Sequence, residues 1–157
     1  MIPMSALWQN PLVVAQIQMI ARSLKHWTGR ELMPGNYTPG EFAEKVFRAP
    51  LVLISHGIEP DPMLNFGNAT ALALWEMSWT ELTHTPSRLT AEAPNREERT
   101  RLLAAVTARG FIDDYSGIRI TRGGRRFRIS RATVWNLLDE NGNYSGQAAT
   151  FSDWDFL

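Results

Sequence analysis

From Phe111 to the C-terminus the apolar residues stop recurring at helical spacing and begin to alternate every second position, and this change of period constrains the fold most strongly. Ile118 and Ile120 alternate with Arg119 and Thr121, as in a strand with one buried face. Gly123-Gly124 supplies a tight turn, and a long strand follows from Arg125 to about Leu137. Asn141-Gly142 is a second hairpin signal, after which Ser145 to Phe151 forms a third strand. Such a meander needs an apolar layer against it, which the preceding part of the chain must supply.

That part is mostly helical. Asn10 caps and Pro11 opens a helix running to about Thr28, stopped by Gly29. Val13, Ile17, Ile20, Leu24 and Trp27 lie on one narrow stripe of it. The stripe covers either the chain's own core or the same helix of a second copy; as a homodimer interface it would use Val13, Ile17, Ile20 and Leu24. Pro34, Gly35, Asn36, Pro39 and Gly40 form a breaker-rich link, and Glu41 to Phe47 reads as a short helix. Leu51 to Ile54 is an apolar run that reads as a buried strand, and Met63 to Phe66 as a second. Asn68 caps a helix through Trp75, Ser78 and Glu81 form a capping box, and Asn95 with Glu98 repeats that pattern before a helix ending at Gly110. The expected class is α+β: a five-stranded antiparallel sheet with helices on one face, preceded by an N-terminal helix. Residues 1–36 are expected to form a helical extension and linker, and 37–157 the domain itself.

Composition narrows the chemistry. With no cysteine among 157 residues, disulfides, thiolate metal sites and cysteine nucleophiles are excluded. Sixteen basic residues balance sixteen acidic ones, so bulk charge indicates neither nucleic acid nor an anionic membrane as partner. Apolar runs fall well short of the roughly 20 residues of a membrane span. The first dozen residues carry no secretory pattern, so a soluble, cytoplasmic protein is expected. His26, His56 and His84 lack metal-type spacing, no phosphate loop or nucleophile elbow occurs, and Asp113-Asp114 reads as a solvated strand start. No enzyme activity and no metal site are expected.

The order of motifs resembles a known family. Asn65-Phe66-Gly67-Asn68-Ala69, then Trp79-Thr80-Glu81-Leu82 and Pro86-Ser87-Arg88, look like the PAS pattern of a strand, an Asn-Ala helix start and a short helix. With Gly123 to Phe127, Ala132 to Asn136 and Gly146 to Phe151, the chain is more closely similar to the MEKHLA domain family, over roughly Asn10 to Trp154. That family is PAS-like and occurs both as small bacterial proteins and at the C-terminus of plant homeodomain leucine-zipper regulators. The resemblance implies a stand-alone sensory or interaction domain without an agreed ligand.

It also implies a pocket between sheet and helices. Trp75, on a helix that reads as buried, and Trp135, on the inward parity of the long strand, are the aromatic candidates for that pocket, with Asn68 and Gln147 as polar contacts. Arg131 shares the parity of Phe127, Ile129, Thr133, Trp135 and Leu137. A bulge turns it outward, a carboxylate such as Glu76 pairs it, or it meets an anionic ligand. Arg119, Arg126 and Arg128 fall on the outward parity, with Arg122 and Arg125 at the turn. Around Gln147 either parity could face inward. Haem on His56 or His84, or flavin held noncovalently, are the cofactors to test; a cysteinyl flavin adduct is excluded. Expected partners are a small-molecule ligand, a second copy in a homodimer and a signalling protein. The competing reading is a ligand-free protein-interaction adaptor that docks through its sheet face.

Overall fold

The computed structural model describes residues 2–157. Two helices, α1 (Met4–Trp8) and α2 (Pro11–Thr28), precede α3 (Pro39–Arg48). Strands β1 (Val52–His56) and β2 (Leu64–Gly67) follow, then α4 (Ala69–Trp75), α5 (Trp79–Leu82), a 3-10 helix (Ser87–Thr90) and α6 (Ala93–Arg109). Strands β3 (Phe111–Ile120), β4 (Arg126–Leu138), β5 (Tyr144–Phe151) and β6 (Asp153–Phe156) complete the chain. The α+β class is the expected one. The sheet runs β2-β1-β5-β4-β3, antiparallel throughout, with β6 beside the first half of β4.

Local signals act largely as read. Asn10 caps α2 and Gly29 ends it at φ 74°, and Ser78–Glu81 closes a capping box on α5, but α3 starts at Pro39 rather than Glu41, because Thr38 and Glu41 form a capping box inside what reads as the link. Helix α6 departs from expectation: it starts at Ala93 rather than after Asn95, because Pro94 suits the first turn, although its N-cap Glu92 makes no side-chain capping bond.

Both faces of the sheet are covered, where one was expected. Alternate residues of β1 show this directly. Leu53 packs with Ile17, Ile20, Val46, Phe47, Phe66 and Trp135, whereas Val52 and Ile54 join Leu72, Trp75, Leu102, Phe127 and Phe151. Helices α2 and α3 therefore close one face, and α4, α5 and α6 the other. The division expected at residue 36 is not a division of the packing, since α2 shares a core with β1, β2, β4 and β5. For the same reason Val13, Ile17, Ile20 and Leu24 are spent on this core: all four are buried in the monomer and none is available as a dimer seam.

The long strand changes sides. Phe127 and Ile129 face α4 and α6, but Trp135 and Leu137 face α2. The switch is at Arg131, whose φ of 54° breaks the two-residue alternation. There β4 also exchanges neighbours, pairing with β6 over 127–130 and with β5 from Thr133.

Candidate functional site

On the α4 and α6 side the core does not close completely. A cavity of about 70 Å³ lies between β1, β4 and β5 of the sheet and the wall formed by α4, the 3-10 helix and α6. Its apolar lining includes Ile54, Trp75, Leu102, Ile129, Val134 and Phe151; its polar lining includes His56, Ser87, Arg99, Tyr115, Arg119 and Gln147.

Trp75, one of the two tryptophans expected at a pocket, lines this cavity. It sits on the last turn of α4, edge-on to Phe127 at 5.3 Å and Phe151 at 6.2 Å between ring centroids. Its indole Nε1, which can only donate, makes no hydrogen bond. Gln147 also lines the cavity, because Ala149 and Phe151 share its parity and pack toward α4 and α6, which resolves the register. Its amide is engaged, donating to Leu103 O, Thr107 Oγ1 and Asn136 Oδ1, each at 3.1 Å, so it clamps α6 onto the sheet.

Three expected contacts lie elsewhere. Asn68 is fully buried, with its Oδ1 accepting from Ala71 N and Leu53 N and its Nδ2 donating to Val46 O and Leu51 O. All its bonding capacity holds backbone, leaving nothing for a ligand. Trp135 lies on the opposite face, its Nε1 donating to Ile20 O at 3.2 Å, because the switch at Arg131 reversed its parity. Arg131 itself is exposed and forms a two-pronged pair with Asp153 through Nε and Nη2, at 3.1 and 3.0 Å. Glu76 instead accepts from Gly123 N. The bulge and an internal pair account for Arg131 together.

Two residues that parity assigned outward or left unassigned line the cavity. Arg119 is only 6% exposed, donating to Ile118 O at 2.9 Å and to Tyr115 Oη at 3.1 Å. Irregular pairing around Asp114, at φ 54°, turns Tyr115 and Arg119 inward. Arg99 lies on α6 and donates to Ser87 Oγ. Burial, and then the like charge of Arg119, lower its guanidinium to about 10. Among the described residues neither arginine pairs with a carboxylate, whereas the exposed Arg126 and Arg131 do. Glu98 reaches Arg119 only through Tyr115, whose hydroxyl donates to Glu98 Oε2 at 2.9 Å; burial raises the pKa of that phenol. A strand-parity rule missed Arg119, and α6 carried no apolar stripe that would have marked Arg99 as inward.

His56 completes the polar wall. Its Nδ1 lies 3.0 Å from Gly57 O, so that nitrogen donates and the neutral ring presents Nε2 as an acceptor. Burial lowers the imidazole pKa against the opposing pull of Gly57 O. Nε2 makes no hydrogen bond of ordinary geometry, although the cross-strand Gln147 lies beside it. Among the described residues, His56 Nε2 and Trp75 Nε1 are the buried side-chain polar atoms without a partner, and both residues line this cavity.

The cofactors weighed from sequence do not fit this site. Cofactor and drug-sized ligands occupy roughly 300–1,000 Å³, and a cavity of about 70 Å³ holds neither haem nor flavin unless the helices move. His84 is exposed, with Nδ1 2.7 Å from Thr80 O on its own helix turn. Among the described residues no three His, Asp or Glu side chains cluster as metal ligands, and no helix is long and apolar enough to cross a membrane. Asp113 takes structural contacts, accepting from Thr133 Oγ1 at 2.7 Å and lying 3.5 Å from Arg30.

A sheet covered on its inner face by short helices and one long connecting helix matches many solved structures. The sequence matches the model of the MEKHLA domain over residues 14–156. The chain belongs to the MEKHLA domain family. No curated protein matches the sequence. In three dimensions this MEKHLA domain is similar to the PAS domain of a Colwellia psychrerythraea protein, with a TM-score of 0.61, 13% identity, and coverage of 74% of this chain and 93% of that one. The PAS domain of a LuxR-family transcriptional regulator from Burkholderia thailandensis, solved in complex with ethanol, gives 0.55 at 19% identity, covering 74% and 96%. The light-state dimer of the fungal blue-light photoreceptor Vivid gives 0.57 at 13%, covering 85% and 91%. These likenesses establish a PAS-like fold for the MEKHLA domain.

Proposed function

We propose that this MEKHLA domain binds a small molecule between its sheet and α6 and passes occupancy on to a second copy or a signalling partner. The carrying observation is that the two unpartnered buried polar atoms, Trp75 Nε1 and His56 Nε2, belong to residues walling one cavity. An unsatisfied buried donor or acceptor costs about 1–3 kcal/mol, and a bound molecule with matching groups removes that cost. The cavity's size favours a ligand nearer to the ethanol of the LuxR-family PAS structure than to flavin. Signalling follows if the ligand binds one arrangement of α6 against the sheet more tightly than another. Helix α6 is the element to watch, because Gln147 and Asn136 tie it to β5 and β4 beside the cavity. The adaptor alternative gains less support, as α2 and α3 already cover the sheet face it would use.

Native mass spectrometry of freshly purified protein tests this reading and reports oligomeric state in the same spectrum. The expected result is a mass excess that disappears on denaturation. A bare mass, together with a melting temperature unmoved by a panel of short acids, amides and alcohols, overturns it in favour of the adaptor.

A further inference from the structure

Resting on the ligand-pocket reading, we infer that the ligand is a small organic anion, a carboxylate on a short apolar body, held by Arg99 and Arg119. Among the described residues seven of the fourteen arginines are paired with carboxylates at the surface, where such pairs contribute little. The two that line the cavity are not, although losing hydration makes a counter-charge most valuable there. They are also close enough to oppose each other's charge, an arrangement that an anion between them reverses. Planar guanidinium groups match the two oxygens of a carboxylate, and charge-assisted bonds of this kind are the stronger ones.

The remaining wall sets the rest of the molecule. Trp75 Nε1 can only donate and so adds a further contact for an acceptor oxygen, while Leu102, Ile129 and Phe151 present hydrocarbon. That combination suits an acid with an alkyl body better than an inorganic oxyanion, which would leave the apolar side uncovered. Size limits the body further: at about 70 Å³ the cavity has less than half the ~150 Å³ of an engineered cavity that takes up benzene. Two or three carbons is the scale.

The test is an NMR titration of the full chain with sodium propionate at constant ionic strength, against its neutral isostere propionamide. The readout is the Trp75 indole N–H resonance, assigned by its loss in Trp75→Phe. Propionate is expected to shift it with a Kd at least about tenfold below that of propionamide. Arg99→Gln is expected to erase this preference, so that the two probes bind with the same Kd. Arg99→Lys, which keeps the charge but loses the planar fork, retains a weakened preference and serves if the Gln variant folds poorly. Equal affinity for the two probes, or a preference that survives Arg99→Gln, overturns the anion assignment while leaving a ligand pocket. No shift from either probe overturns the assignment and withdraws support from the pocket as well.

Discussion

The two faces of one sheet are finished in opposite ways. On the α2 and α3 side, Trp135 fills the centre, its indole bonded to Ile20 O, and Ser23 Oγ and Trp27 Nε1 tie α2 to Leu138 and Asn136. On the α4 and α6 side, a tryptophan of the same size, Trp75, leaves its indole nitrogen without a partner beside a cavity walled by two unpaired guanidiniums. Close packing with every polar atom satisfied is what stability alone favours. A face that departs from both conditions in one place marks a candidate site better than its composition does.

The strongest way to break this contrast is to open the closed face. Trp135→Ala is expected to cost about 3–5 kcal/mol in denaturant unfolding, as a large buried aromatic removed from a packed core; a loss below about 1 kcal/mol would mean that this face is as loosely filled as the other. Next comes Asn68→Ala, which deletes a helix cap and frees buried backbone groups of Leu51 and Leu53. About 2–3 kcal/mol is expected from the same measurement, with no change in propionate affinity. A change in affinity without one in stability would return Asn68 to the binding residues.

Acid sharpens the contrast further. With its folded pKa lowered, His56 binds fewer protons in the native state than in the unfolded one. Its contribution to stability is therefore complete above pH 6.5 and declines as pH falls from there toward the folded value. Arg99 lowers this pKa and Glu59 opposes it. His56→Gln should remove from the pH 5–7 stability profile a slope no greater than about 1.4 kcal/mol per pH unit, the limit for one proton; an unchanged profile would place His56 in water. The smallest effect is expected from filling the cavity. Ala149→Val should stabilise the fold by about 0.5–1 kcal/mol and weaken propionate binding; destabilisation would mean that the space is already taken up by the side chains around it.

Much of this architecture is legible from local chemistry. Caps at Asn10, Asn68 and Ser78, with the stops at Gly29 and Gly110, delimit helices through bonds a few residues long. The meander follows from alternation and two turn signals. What was not legible depends on places where alternation fails. Two residues at positive φ, Asp114 and Arg131, exchanged the faces of Arg119 and Trp135, moving one into the cavity and the other out of it. Neither has a glycine or proline to announce the break. Strand β6 was missed for another reason: Asp153-Trp154-Asp155-Phe156 does alternate, but only the single residue Ser152 separates it from β5 and no turn signal marks a new strand. Arg99 gave no signal, since α6 faces the sheet with a few residues of a polar, charged helix.

The break in β4 has a consequence for chain length. Replacing the Arg131 side chain removes one surface ion pair, and exposed pairs contribute at most about 1 kcal/mol. Deleting the residue is a different event, because it slides the rest of the strand by one place and restores unbroken alternation. Ala132 and Val134 then keep the side of Phe127 and Ile129, and Trp135 and Leu137 stay toward α2. Position 131 thus acts as a phase marker between two half-strands: flattening the bulge with the residue kept, and not losing the residue, is what would carry Trp135 and Leu137 into the small cavity.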